Sequence, residues 1–307
     1  MKCSKCGKKA VYHRKYEGSY LCRLHFIKSI ESKVKRTIRK DMLIERGDRI
    51  AFALSGGKDS SAVLCMLKEI FRERKDLEFF AISIDEGIPG YRKDSLKIAK
   101  RLCRELGVKH HVFSFREEFG KDLGEKVEKI RKSDSWEGTA CTYCGLARRW
   151  LLNKKARELG ANKIVFGMNL DDEIQGIVMD YLRGDLSRLS RMGGKPIIRD
   201  ELFVPRIKPF REIPEKEIGL YAILVGLEVQ EDECPYLEGP RLRVRNFLND
   251  LEAESSGTKF SVLKTFERLL PGVREIVKKE NVRIVKCAKC GEPSSQKVCK
   301  TCELWKK

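Results

Sequence analysis

The stretch Arg49–Leu67, RIAFALSGGKDSSAVLCML, decides the fold. Ile50-Ala51-Phe52-Ala53-Leu54 is a short unbroken apolar run, the pattern of a parallel strand buried on both faces. Ser55-Gly56-Gly57 turns the chain, and Ala62, Val63, Leu64, Met66 and Leu67 continue as a mostly apolar helix with Asp59, Ser60 and Ser61 in its first turn. A helix start offers backbone N–H groups without intrahelical partners, Gly56 and Gly57 carry no Cβ, and Lys58 stands beside them. Strand, turn and helix together therefore make a cradle for an anion. The helix dipole adds only about 0.3–1 kcal/mol, which leaves the hydrogen bonds and the lysine to carry the affinity.

No G-x-x-x-x-G-K-[ST] can be written through this loop, so it is not a Walker A sequence. Its six residues Ser55–Ser60, SGGKDS, resemble the PP-loop of the N-type ATP pyrophosphatases. That resemblance implies an enzyme that transfers AMP from ATP to a substrate oxygen, releases pyrophosphate and lets a nucleophile displace the AMP. Further along, Leu77–Asp85, Val108–Phe115 and Lys163–Gly167 read as strands, and Tyr91–Leu106, Leu146–Leu159 and a segment starting near Asp171 read as helices. Strands alternating with helices predict an α/β fold, a doubly wound parallel sheet with ligands at the carboxyl ends of its strands.

The 307 residues hold 64 Lys and Arg against 45 Asp and Glu, a net charge of +19 that favours a polyanionic partner, nucleic acid first. Hydrophobic residues make up 41%, enough for a core. No apolar run approaches a membrane span, and the opening MKCSKC has neither a basic n-region nor an apolar h-region. A cytoplasmic protein without a membrane partner is expected.

Most of the twelve cysteines fall in C-x-x-C or C-x-x-H pairs, which in a reducing compartment point to metal. Cys3, Cys6, Cys22 and His25 form one tetrahedral donor set, and Cys287, Cys290, Cys299 and Cys302 a second, so two structural zinc ions are expected. Between them lies Cys141-Thr-Tyr-Cys144 with no second pair nearby; Cys234 is the further cysteine in a turn, because Cys65 and Cys103 fall in helical patterns. Three thiolates suit zinc plus a water, a [4Fe-4S] cluster with one iron not held by cysteine, or a redox pair, and their number does not choose.

Asp171-Asp172-Glu173 opens a helix directly after a strand, which suits helix capping, Mg2+ binding beside phosphates, or proton transfer. Lys28–Asp41 predicts a basic amphipathic helix with Ile30, Val34 and Ile38 on one face. Arg206, Lys208 and Arg211, and again Arg241, Arg243 and Arg245, read as RNA contacts or as a solvated face. Helices are predicted over Ser261–Leu270 and Val273–Lys279.

The set SGGKDS, CTYCG followed by Arg148-Arg149, GMNLDDEIQ, YLRGD, PRIKPFREIPEKEIGLYA and ECPY is similar to the tRNA uridine 2-thiolation enzymes of the TtcA/TtuA group. The likeness covers nearly the whole chain, and zinc knuckles at both ends fit the TtuA-like branch. It implies an ATP-dependent tRNA 2-thiouridine synthetase, a sulfurtransferase that forms AMP and pyrophosphate. The implied cofactors are ATP, Mg2+ and a [4Fe-4S] cluster on Cys141, Cys144 and Cys234. The implied ATP contacts are Ala53, Leu54, Ser55, Gly56, Gly57, Lys58, Asp59, Ser60, Arg148, Gly167 and Asp172, with Asp172, Asp59 and Lys58 catalytic. The partners implied are tRNA, a ubiquitin-like thiocarboxylate carrier protein or inorganic sulfide as sulfur donor, and a second copy in a homodimer. One departure stands out: the family commonly reads G-H-N-L-D-D-E, and Met168 occupies the His position. Two other readings are a PP-loop adenylating, aminating enzyme without a cluster, and a non-catalytic zinc-knuckle RNA-binding protein. The expected organisation is a zinc finger over 1–28, a basic linker helix over 29–48, the PP-loop domain over 49–255, a helical extension over 256–285 and a second zinc finger over 286–307.

Overall fold

The computed structural model describes residues 1–131, 139–194, 201–230, 232–237, 239–278 and 284–305. A hairpin of β1 (Tyr12–Arg14) and β2 (Ser19–Leu21) leads into α1 (Arg23–Asp41). The α/β unit begins with β3 (Arg49–Ala53), α2 (Lys58–Ile70), β4 (Glu78–Asp85), α3 (Arg92–Glu105) and β5 (Lys109–Ser114). It continues with α4 (Phe115–Phe119), α5 (Leu123–Arg131), α6 (Ala140–Glu158), β6 (Lys163–Val165), α7 (Leu170–Leu182), α8 (Leu186–Ser190), β7 (Arg206–Ile207) and α9 (Glu215–Val225). Helices α10 (Pro240–Glu254) and α11 (Thr258–Lys278) follow, then a ribbon of β8 (Val285–Lys286), β9 (Pro293–Ser294) and α12 (Lys300–Trp305).

The central sheet is parallel, in the order β5-β4-β3-β6-β7. The chain builds outward from β3 through β4 to β5, then returns to the far side of β3 for β6 and β7. Strand order therefore reverses at β3, and the crevice beyond its carboxyl end is where a doubly wound sheet takes ligands. The expected architecture is the observed one, with β7 a further edge strand too short to leave a hydrophobic pattern.

Alternation along β3 sends Ile50 and Phe52 to one face and Ala51 to the other. Over the first face lie Phe26, Ile30, Val34 and Ile38 of α1, Leu64 of α2 and Ile218 of α9. The amphipathic helix is thus present, but it starts at Arg23 rather than Lys28, so His25 lies in its first turn. Over the second face lie Tyr143, Ala147 and Leu151 of α6, joined by Cys287, Cys302 and Trp305 of the ribbon. A third cluster packs α7 and α8 against α10 and α11 through Ile174, Leu189, Leu248 and Phe266.

Two helix boundaries differ from expectation. Helix α6 begins at Ala140, not Leu146, so the whole CTYC motif sits in its first turn. Ala140, Tyr143 and Ala147 are all buried, which gives that turn a core-facing stripe of helical period. Helix α11 runs through Pro271, where two helices were expected. Burial of Leu263, Phe266 and Leu270 outweighs the single hydrogen bond that proline withholds from the Glu267 carbonyl. The expected helix end at Lys279 lies outside the described residues. Among those residues no helix is long and apolar enough to cross a membrane.

Candidate active site

The PP-loop closes on itself. Ser55 N donates to Ser60 Oγ at 3.1 Å, and Ser60 Oγ donates to the Gly57 carbonyl at 3.0 Å, fixing the turn against the start of α2. Gly56 has φ +87°, and a Cβ there would lie 2.1 Å from the Ser95 carbonyl oxygen of α3. Gly167, just past β6, is equally constrained: a Cβ would stand 2.6 Å from the Asp59 carbonyl. Both glycines are places where backbone passes backbone, Gly56 against α3 and Gly167 against the start of α2, while sheet pairing sets the ends of β3 and β6 side by side.

A pocket of about 300 Å³ opens there, with Ser55, Asp59 and Ser60 on one wall and Arg148, Gly167 and Asp172 on others. Ala53, Leu54 and Met168 also line it. Gly56, Gly57 and Lys58 lie outside the lining, in the loop itself. Lys58 Nζ bonds Glu215 Oε1 at 2.6 Å and Asp59 Oδ2 at 3.0 Å. Burial disfavours its charge, yet the two carboxylates outweigh burial and raise its pKa above the ordinary value.

The acidic run separates by role. Asp171 is buried, accepts from Glu215 N at 2.8 Å and pairs with Lys259 of α11. Glu173 is fully buried against Lys208 at 2.6 Å. Asp172 alone faces the pocket. It completes a capping box with Asn169, whose Oδ1 accepts from Asp172 N at 3.0 Å, while Asn169 Nδ2 donates to Asp59 Oδ1 at 3.2 Å. Asn169 therefore ties Asp59 and Asp172 together. Burial, and then the neighbouring Asp59 charge, push Asp172 up to about 6 against the pull of Arg241, whose guanidinium bonds Asp172 Oδ1 at 2.8 Å. Asp59 is raised as well, chiefly by burial.

The second pocket wall comes from residues that the sequence pattern did not single out. Buried Glu86, at the carboxyl end of β4, pairs with Arg92 at 2.8 Å and with Arg148 at 3.4 Å. Arg92 also donates to the Ser55 carbonyl at 2.7 Å, bracing the PP-loop. The position of Glu86 just beyond a parallel strand was the signal for it.

Several expected RNA contacts have internal duties instead. Lys208 neutralises Glu173, Arg211 is 1% exposed and bonds Glu267, Arg241 holds Asp172, and Arg245 pairs with Glu233 at 3.5 Å. Arg206 remains available, with its guanidinium over the pocket-lining Phe166 ring at 5.6 Å. Burial, together with the like charge of Arg149, lowers its pKa to about 10.

The cysteines fall into two kinds. Cys6 and Cys22 sulfurs are 3.7 Å apart, and His25 Nδ1 is 3.5 Å from Cys3 Sγ and 3.4 Å from Cys22 Sγ. Cys290 and Cys299 sulfurs are also 3.7 Å apart. Zinc with Zn–S bonds of about 2.3 Å needs tetrahedral sulfurs roughly 3.8 Å apart, so both terminal sets fit it. Cys141, Cys144 and Cys234 do not gather within 4.8 Å. Cys141 Sγ donates to the Tyr236 carbonyl at 3.2 Å, which places it against the turn that carries Cys234. A set that does not close on a single ion is compatible with a cubane, whose irons occupy separate corners. Cys144 stands one helical turn before Arg148 on α6, so one helix serves both the cysteine set and the pocket.

Comparison with known proteins agrees with this geometry. The profile of the PP-loop domain matches residues 27–251, and that of the N-terminal LIM domain of the 2-thiouridine synthetase TtuA matches residues 2–27. The tRNA 2-thiolation protein NcsA of Haloferax volcanii is 37% identical over 99% of this chain and 98% of its own. The tRNA-5-methyluridine(54) 2-sulfurtransferase of Pyrococcus horikoshii is 33% identical over 99% of this chain and 94% of its own. The solved U34-tRNA thiolase NcsA of Methanococcus maripaludis, with its [4Fe-4S] cluster, superposes with a TM-score of 0.83 at 34% identity, covering 100% of this chain and 96% of that one.

Proposed function

The chain belongs to the PP-loop tRNA 2-thiolation family, and from that premise we propose that it replaces the 2-carbonyl oxygen of a tRNA uridine with sulfur at the expense of ATP. The observation that carries the reading is the meeting of a PP-loop pocket and an open three-cysteine set on one helix, α6, through Arg148 and Cys144. An aminating enzyme of the same superfamily has no use for the second of these, and an RNA-binding relic has no use for the first.

Uracil's 2-carbonyl is a poor electrophile. Its oxygen attacks the α-phosphorus of ATP, pyrophosphate leaves, and a sulfur nucleophile then adds at C2 and expels AMP. Lys58, the amides of Ser55–Ser60 and Arg148 are the groups that offset charge on the phosphates. Displacement of Lys58 from Glu215 by a phosphate would complete that cradle. Asp59 and Asp172, joined through Asn169, are the pair for Mg2+ or for the proton released as the uracil N3–H is lost. Cys141, Cys144 and Cys234 would hold the [4Fe-4S] cluster, which supplies an iron free to carry sulfur to the pocket. The terminal sets would each hold one zinc. A ubiquitin-like thiocarboxylate carrier or inorganic sulfide serves as donor, and the working unit is a homodimer. Arg149, next in sequence to the pocket-lining Arg148, and Arg206, over the pocket-lining Phe166 ring, have no acidic partner among the described residues and are the contacts for the RNA backbone.

Anaerobic incubation with tRNA, ATP and sulfide, followed by nucleoside mass spectrometry, tests the proposal. One 2-thiouridine should form per AMP and pyrophosphate, and digestion to oligonucleotides reads which uridine carries it. ATP turnover with tRNA that yields an aminated base, or no modified base, overturns it.

A further inference from the structure

The carboxyl-terminal ribbon lies along α6, and its contacts concentrate at the two ends of that helix. Trp305, 1% exposed, donates its indole Nε1–H to the Tyr143 carbonyl at 3.1 Å. Tyr143 is the residue between Thr142 and Cys144, inside the motif that carries two of the three central cysteines. The Trp305 ring is wedged between Phe115, at 5.0 Å between centroids, and Phe119, at 4.9 Å. At the other end of α6, Arg157 forms a two-pronged ion pair with Glu292 of the ribbon, its Nη1 reaching Oε2 at 3.1 Å. Cys287, Cys299 and Cys302 share one apolar core with Ala140, Tyr143 and Ala147.

A knuckle built to grip RNA presents its faces to solvent. This one turns its aromatic residue and its buried acid inward: both bond α6, and the Trp305 ring also packs on α4 beside it. The first turn of a helix is also where fraying begins, because four N–H groups there lack intrahelical partners. We infer that the carboxyl-terminal ribbon is a splint for α6, and that Trp305 is a positioning residue that holds the Cys141–Cys144 turn in the geometry its ligand needs. The inference rests on the proposed ligand role of Cys141, Cys144 and Cys234.

The test compares Trp305→Phe, which keeps a ring and removes the N–H, with Trp305→Ala, in the full-length anaerobic protein. Hydrogen exchange of amides 140–148 and the rate of iron loss under a ferrous chelator are followed, with zinc content as a control on the fold. Trp305→Phe should raise exchange in that turn about fivefold, the scale of one neutral hydrogen bond, with faster iron loss and two zinc ions retained. Trp305→Ala should do so more strongly. Wild-type exchange and wild-type iron loss in both variants overturn the inference. Faster exchange, combined with full iron content in Cys141→Ala, Cys144→Ala and Cys234→Ala, upholds the splint and assigns the failure to the ligand reading.

Discussion

The ribbon cysteines and the central cysteines begin from the same C-x-x-C spacing and end in opposite environments. In the ribbon, backbone N–H groups converge on sulfur: Lys289 and Cys299 both donate to Cys287 Sγ, and Cys302 N donates to Cys299 Sγ. The four sulfurs close on one point, and three of the four residues are buried. In the centre, Cys141 is exposed, Cys144 and Cys234 are half-buried, and the three do not close on one point; Cys144 shares its helix with Arg148, which lines the pocket that holds Asp59, Glu86 and Asp172. A closed set excludes substrate and stabilises; an open set beside a nucleotide pocket is placed for chemistry. Spacing within a pair therefore names ligands, while the second pair, or its absence, names the task.

The comparison predicts a hierarchy of effects. The largest concerns the open site: Asp172→Asn should lower the thiolation rate by at least about 100-fold, the scale of a lost acid–base or metal-binding group, without changing zinc content. An unchanged rate would put the chemistry elsewhere. The closed site should respond in stability instead. Cys302→Ser should remove one of two zinc ions and lower the melting temperature by several degrees, about 2–4 °C for each kcal/mol in a chain this size.

A smaller effect concerns Arg241. Its charge favours ionised Asp172, so Arg241→Gln should raise the Asp172 pKa above its value of about 6 and move the acid limb of the rate profile upward by about one pH unit. The rate on the alkaline plateau should hold. A limb that stays in place dissociates Arg241 from the acid it touches. The smallest concerns His110, whose Nε2 meets Ser83 Oγ at 2.7 Å in the sheet and whose pKa burial lowers to about 4. The unfolded chain takes up this proton near 6.5, so stability is complete above that value and declines as pH falls towards 4. Denaturant titrations of His110→Asn across this window should be flatter than those of the parent protein.

The parts legible in the sequence were local ones. SGGKDS, the two knuckles and the CTYC motif each span a few residues, and a strand–turn–helix or ligand pair needs no distant partner to be recognised. What escaped depended on pairing across the fold. Lys208 and Arg211 read as RNA contacts or a solvated face because their acidic partners are distant in sequence: buried Glu173 lies 35 residues upstream of Lys208, and Glu267 lies 56 residues beyond Arg211. Arg241 read the same way until α10 brought it to Asp172. Helix α11 read as two because proline is a strong local breaker and the apolar stripe that overrides it is satisfied only against α7 and α8. Trp305 gave no signal at all, since its partner is a backbone carbonyl 162 positions away.

The most direct test of the account is elemental. Iron, acid-labile sulfide and zinc should be measured in anaerobically prepared protein, with Cys141→Ala, Cys144→Ala and Cys234→Ala alongside. About four irons per chain, lost in each variant while zinc stays near two, is the predicted result. About three zinc ions per chain, with iron absent even after anaerobic reconstitution, would contradict it and make the central cysteines a third zinc site.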